Sequence, residues 1–171
     1  MYFHKITLLF IGVLLWNSVF GLSTDSEQPI NIEADKATIN NIKRVVTYEG
    51  KVIVTQGSIR INANTVKMNY TQKQEIKNIF AKGKPVYFVQ RLDNREILKA
   101  EANEIEYDAL KNILYLREKA ELRKVISGKD AYISTAPRIT YNIGNSIIEV
   151  DKGKYKNKRI SVTFKPIKTD K

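Results

Sequence analysis

The chain has 171 residues, 43% apolar and 27% charged, with a formal net charge of +11, no cysteine and a single histidine, His4. That length suits one domain with one core. The missing Cys, and a lone His so close to the start, exclude Cys and Ser–His nucleophiles, Cys/His zinc sites, iron–sulfur ligation and a disulfide framework.

In chain order, His4 and Lys5 precede an uncharged, mostly apolar run from Ile6 to Phe20. A basic start and a short apolar run predict a signal peptide over residues 1–21, with cleavage after Gly21 or Ser23. The run is short for a membrane-spanning helix, which needs about 20 residues. A polar lead-in follows over residues 22–29, and periodic sequence begins at Ile30. Alternation then predicts strands around Ile30–Ala34, Val46–Val54, Ile59–Ala63, Val86–Phe88, Ile139–Tyr141 and Ile160–Phe164. Turn signals stand between them at Asn40-Asn41, Gln56-Gly57-Ser58, Lys82-Gly83-Lys84-Pro85, Ser127-Gly128-Lys129 and Gly144-Asn145. The pattern is that of a meandering antiparallel sheet.

The stretch from Asp93 to Leu110 has helix-like composition. An internal repeat argues for strand instead. Ala34-Asp35, Ala63-Asn64, Ala102-Asn103 and Ala136-Pro137 open four similar segments, spaced by 29, 39 and 34 residues. A second mark follows within each unit: Gly50-Lys51, Gly83-Lys84, Glu118-Lys119 and Gly153-Lys154. A small residue followed by Asp, Asn or Pro inside a strand predicts a bulge or sharp bend. Repeated four times, that bend folds one meander into an open, two-sheeted structure.

The expected inward set is Ile30, Ile32, Val52, Val54, Ile59, Ile61, Val86, Phe88, Ile105, Tyr107, Ile139, Tyr141, Val162 and Phe164. These residues suit either a filled sandwich core or a cleft that takes up hydrocarbon, and composition is compatible with both. Each methylene buried in such a cleft would contribute ~0.8 kcal/mol. Glu101, Glu104, Glu106 and Asp108 form the one dense carboxylate cluster, read as a solvated strand face with Lys99 and Lys111 offsetting the repulsion. Gly50, Gly57 and Gly83 are isolated turn glycines, so there is no phosphate loop. Neither an enzyme nor a bound metal or cofactor is expected.

Charge is uneven along the chain. Residues 22–151 carry a net +3, whereas Lys152–Lys171 holds eight bases against Asp170 alone. Aromatics interleave with the basic residues only at Tyr155 and Phe164, so nucleic acid is not an expected partner. An acidic surface is the alternative.

The segments Gln28-Pro29-Ile30-Asn31-Ile32-Glu33-Ala34-Asp35 and Tyr48-Glu49-Gly50-Lys51-Val52-Ile53-Val54-Thr55-Gln56-Gly57 resemble the LptA/OstA family of periplasmic lipopolysaccharide-transport proteins. The likeness runs on through Ile59–Asn64, Gly83–Phe88 and Arg138–Tyr141, across residues 28–165. It implies an all-β fold over residues 30–165, an open, twisted, V-shaped β-jelly roll of about sixteen antiparallel strands; the residues after it, 166–171, are read from their charge as a basic tail. It further implies a periplasmic bridge that shields lipid A acyl chains in an apolar groove and passes lipopolysaccharide from the inner to the outer membrane. Ile30, Ile32 and Phe88 match groove-lining motif positions, with Val52, Val54, Ile61 and Tyr141 added by parity and neighbouring motifs. The implied partners are an LptC-like inner-membrane subunit at the N-terminal edge, an LptD-like outer-membrane translocon at the C-terminal edge, and further copies joined head to tail. Glu118-Lys119-Ala120 and Pro137 depart from the family pattern. Two alternatives stand beside this one: a membrane-anchored LptC-like component that keeps Ile6–Phe20 as its anchor, and a structural or polyanion-binding β module with a filled core.

Overall fold

The computed structural model describes residue 25 and residues 28–92, 96–155 and 157–166. The expected signal peptide, its cleavage points Gly21 and Ser23, and the tail beyond residue 166 lie outside the described residues. Ten strands follow in order: β1 (Ile30–Glu33), β2 (Lys36–Asn40), β3 (Val45–Gln56), β4 (Ile59–Tyr70), β5 (Ile76–Arg91), β6 (Ile97–Asp108), β7 (Ile113–Ile126), β8 (Lys129–Asn142), β9 (Ile147–Asp151) and β10 (Ser161–Phe164). β3 to β8 are each 12 to 16 residues long and form an antiparallel meander.

One line of irregularity crosses every long strand. Register shifts fall between Glu49 and Val52, Asn62 and Thr65, Lys82 and Val86, Glu101 and Glu104, and Arg117 and Ala120. These are the positions of the repeat marks. Gly50, Lys51, Glu118 and Lys119 all have positive φ there, and Pro85 and Pro137 remove backbone donors where pairing lapses anyway. Glu118-Lys119 thus bends the backbone as Gly50-Lys51 does, at the strain cost of two non-glycine residues in the left-handed region.

The crease divides the sheet into two leaves. Leaf A holds β1, β10 and residues 52–56, 59–63, 86–91, 97–102, 120–126 and 129–136 of the long strands. Leaf B holds β2, β9 and residues 45–49, 65–70, 76–82, 104–108, 113–117 and 138–142. A single layer can bury one face only by folding onto itself. Val54, Phe88 and Leu122 of leaf A and Val66, Ile105, Leu116 and Ile139 of leaf B accordingly share one buried cluster. β1 and β2 end the sheet on one side and β9 and β10 on the other, so it stays open.

Several expectations need correction. The described residues make ten strands, not about sixteen, because the crease interrupts pairing without ending a strand. Lys82-Gly83-Lys84-Pro85 is not a turn between strands but the crease within β5. Val162 and Phe164 keep inward parity, opposite Ser134 and Tyr132, yet are exposed because β10 is an edge strand. Within the helix-like stretch, Ile97–Asp108 is strand β6, as the repeat required, and residues 93–95 lie outside the described residues.

At Gly50, φ is +82° and an added Cβ would run into the Asp35 carboxylate, whereas Gly128, at +77°, faces open space. Gly128→Ala should cost about 1 kcal/mol from the backbone alone. Gly50→Ala should cost about 3 kcal/mol, since steric overlap adds to the same backbone cost. Urea denaturation checks the difference; equal losses would show that the crease contact contributes nothing.

Candidate functional site

Period-2 alternation places one residue per strand into each transverse row of the inner face. In leaf A the middle row runs Ile32, Val54, Ile61, Phe88, Ala100, Leu122, Ser134 and Val162, each paired with the next. Four of the seven expected groove residues are therefore consecutive neighbours in one row. Seven strand spacings of ~4.8 Å make it about 34 Å long. Val52 lies one row nearer the crease beside Ala63, and Ile30 one row nearer the rim opposite Gln56. Tyr141 belongs to the facing row of leaf B, which runs Ile39, Val46, Met68, Ile79, Tyr107, Leu114, Tyr141 and Ile148. All seven residues thus point into the space between the leaves.

That space is packed in its middle and uncovered at its ends. Val52, Val54, Ile61, Phe88 and Tyr141 are 1–4% exposed, so they form a closed core, and Ile30 and Ile32 are half-buried against it. At the ends of the rows Ile39 is 65% and Val162 42% exposed, while Ile32 and Ile148 are partly buried; Phe164, one row nearer the rim than Val162, is 77% exposed. Three cavities of about 520, 540 and 300 Å³ open on the outer side and are lined mainly by polar residues. None of the three is the apolar space.

Several outer-face charges pair across strands. Lys82 meets Glu104 at 2.6 Å, Arg117 meets Glu106 at 2.7 Å and Arg138 meets Asp151 at 2.8 Å. The Glu104 hydrogen bond raises the Lys82 pKa. At Asp108 partial burial pushes the pKa upward, but the Lys111 ammonium and backbone donors outweigh it and hold it below its usual value. Glu104, Glu106 and Asp108 share the outer face as expected, but Glu106 and Asp108 are largely covered and ion-paired rather than freely solvated, and Lys111 is a partner as expected. Lys82 and Arg117, not Lys99, supply the other cations, because they stand across the strands from Glu104. Among the described residues no group of His, Cys, Asp and Glu converges to hold a metal ion.

Sequence reasoning missed the most deeply buried leucines, Leu98, Leu114, Leu116 and Leu122. Their alternation (Leu114-x-Leu116 and Ala120-x-Leu122) was available as a signal, masked by the flanking Glu and Lys. It also missed Asp25 at the leaf A rim. The Asp25 carboxylate accepts from Ser58 N–H and Ser58 O–H, both at 2.7 Å, and from Gln90 Nε2 at 3.2 Å.

Burial pushes the Tyr132 phenol up to about 12. A group that holds its proton more tightly when folded loses stability as pH rises from its unfolded value near 10 towards 12. Denaturant midpoints should therefore fall across that interval, and Tyr132→Phe should fall less steeply. Parallel curves for both proteins would contradict the assignment.

Comparison with known proteins completes the description of the site. The family model described as LptA/(LptD N-terminal domain) LPS transport protein matches residues 31–146. The chain is 37% identical over 142 residues to the lipopolysaccharide export system protein LptA of Haemophilus influenzae, covering 82% of this chain and 80% of that one. It is 34% identical over 138 residues to the LptA of Escherichia coli K12, covering 79% and 72%. A crystal structure of LptH from Pseudomonas aeruginosa is also similar. That protein is described as the LptA-homologous periplasmic component of the lipopolysaccharide transport device. It superposes with a TM-score of 0.74 at 27% identity, over 84% of this chain and 99% of that chain.

Proposed function

We propose that this chain, which belongs to the LptA/(LptD N-terminal domain) family of LPS transport proteins, is a periplasmic carrier of lipopolysaccharide. The observation that carries the proposal is the inner face, apolar along its rows except at Ser134, buried along its middle and uncovered at Ile39 and Val162 on its two sides. Ile30, Ile32, Val52, Val54, Ile61, Phe88 and Tyr141 line the track for lipid A acyl chains, while the sugars stay in water. Because the middle of that track is packed, loading requires the leaves to part. Hydrocarbon then replaces leaf-to-leaf contacts, and each buried methylene offsets the opening by ~0.8 kcal/mol. No covalent chemistry is involved, and the lipid is handed on rather than altered.

The sheet edges support an end-to-end bridge. β1 runs antiparallel to β3 and β10 antiparallel to β8, with an even number of strands in the leaf A path. A second copy can therefore add its β1 beside β10, and its β2 beside β9, in antiparallel pairing without inversion. The same addition would join Val162 and Phe164 to Ile30 and Ile32 of the next copy, extending the apolar track. By this reading the N-terminal edge meets an LptC-like subunit at the inner membrane, and the C-terminal edge meets an LptD-like translocon at the outer membrane. The family likeness and the predicted leader support a periplasmic site of action.

Photo-crosslinking residues placed at Ile32 and Phe88 in cells should give lipopolysaccharide adducts, and one at outer-face Tyr87 should not. Ile32→Glu should weaken lipid binding by about tenfold while far-UV circular dichroism stays that of a folded sheet. Adducts at Tyr87 alone, or at none of the three, would defeat the proposal. Loss of fold in Ile32→Glu would favour a purely structural core.

A further inference from the structure

The inner face changes character in its outermost leaf A row. Gln90, Leu98, Lys124, Tyr132 and Phe164 follow one another there by strand pairing. Lys124 shares the face of Leu98, which is 1% exposed, and its ammonium lies 2.5 Å from Glu96. At 27% side-chain exposure Lys124 is the least exposed base among the ion pairs of the described residues. The cross-strand pairs Lys36–Glu49, Lys82–Glu104, Arg117–Glu106 and Arg138–Asp151 lie on the outer face. Two strands away, a spacing of roughly 10 Å, Gln90 is 2% exposed and donates through Nε2 to Asp25. The other amide atom, Gln90 Oε1, is buried and has no hydrogen-bond partner among the described residues.

We infer that this rim row is a subsite for the phosphorylated sugar headgroup of the lipid, with Lys124 as the phosphate ligand and Gln90 Oε1 as acceptor for a sugar hydroxyl or amide N–H. The inference rests on acyl chains occupying the space between the leaves, as proposed above. An amphiphile so placed has its polar boundary at the rim, where the apolar rows end. A cation there is partly desolvated and pairs more strongly with an anion than a fully exposed one. Glu96 holds the Lys124 charge when no lipid is present and is the group a phosphate must displace. It repels the incoming anion, so its removal strengthens phosphate binding. Leu98 and Tyr132 flank Lys124 on the neighbouring strands.

The test is calorimetric titration of the purified protein with bisphosphorylated lipid A and with its enzymatically dephosphorylated form, in the same detergent. The wild-type protein should prefer the phosphorylated form by about tenfold. Lys124→Gln should abolish that preference at unchanged affinity for the dephosphorylated form, and Lys124→Arg should restore it. Glu96→Gln should tighten binding of the phosphorylated form alone. A preference that survives in Lys124→Gln overturns the subsite. Equal binding of both forms by the wild-type protein overturns it while leaving the apolar track standing, whereas binding of neither form overturns the track itself. Inorganic phosphate binding with similar affinity in the absence of lipid would show a general anion site and overturn the headgroup assignment. The double variant Glu96→Gln/Lys124→Gln, which leaves neither the cation nor the repelling carboxylate, should bind the two forms equally; a preference for the phosphorylated form retained there would overturn the subsite.

Discussion

The structure depends on one constraint: a single antiparallel layer has an apolar face and no second layer to cover it. The crease resolves this by letting each long strand pass through both leaves, so that the sheet becomes its own cover. Small or positive-φ residues at Gly50-Lys51, Ala63-Asn64, Gly83-Lys84 and Glu118-Lys119 make the bend without ending the strands. The same arrangement sets the limits of the cover. Where a leaf ends in β1, β2, β9 or β10, no opposing strand remains to close it, and Ile39, Val162 and Phe164 stand in solvent. Packing in the middle and exposure at the ends thus share one cause.

Much of this was legible in the sequence. Strand alternation at Val46–Val54 and Ile59–Ala63 and the four small-residue repeats were enough for the meander and its bends. Parity put Ile32, Val54, Ile61 and Phe88 on one face, and the strand pairing makes them neighbours in one row. Parity says nothing about cover, however. It could not distinguish Val54, buried by the opposing leaf, from Val162 of the same row, left bare at an edge. Nor could it separate a turn from a crease at Gly83-Lys84-Pro85, since both require the same residue types. Leu98 and Leu122 were hidden for a related reason: Glu and Lys on the outer face gave their strands a helical composition. The Asp25 contact joins residues far apart in sequence, so no local pattern announces it.

On the outer face Lys36, Lys82, Arg117 and Arg138 pair across strands with carboxylates, and the inner rows, Ser134 apart, are apolar until the leaf A rim. Lys124, Glu96, Gln90 and Asp25 mark that rim, where a bound amphiphile would pass from hydrocarbon to sugar. Eight of the bases fall in Lys152–Lys171, so basicity belongs to one end of the chain rather than to the residues of the track.

The central claim is that lipid enters only when the leaves separate, because the residues between them are packed in the unloaded protein. The chain has no native cysteine, so spin labels at Leu110→Cys on the leaf B rim and Lys129→Cys on the leaf A rim report the opening without further substitutions. Pulsed electron paramagnetic resonance should show that distance widening on lipopolysaccharide binding by at least the width of one hydrocarbon chain. Stoichiometric binding with an unchanged distance would contradict the account.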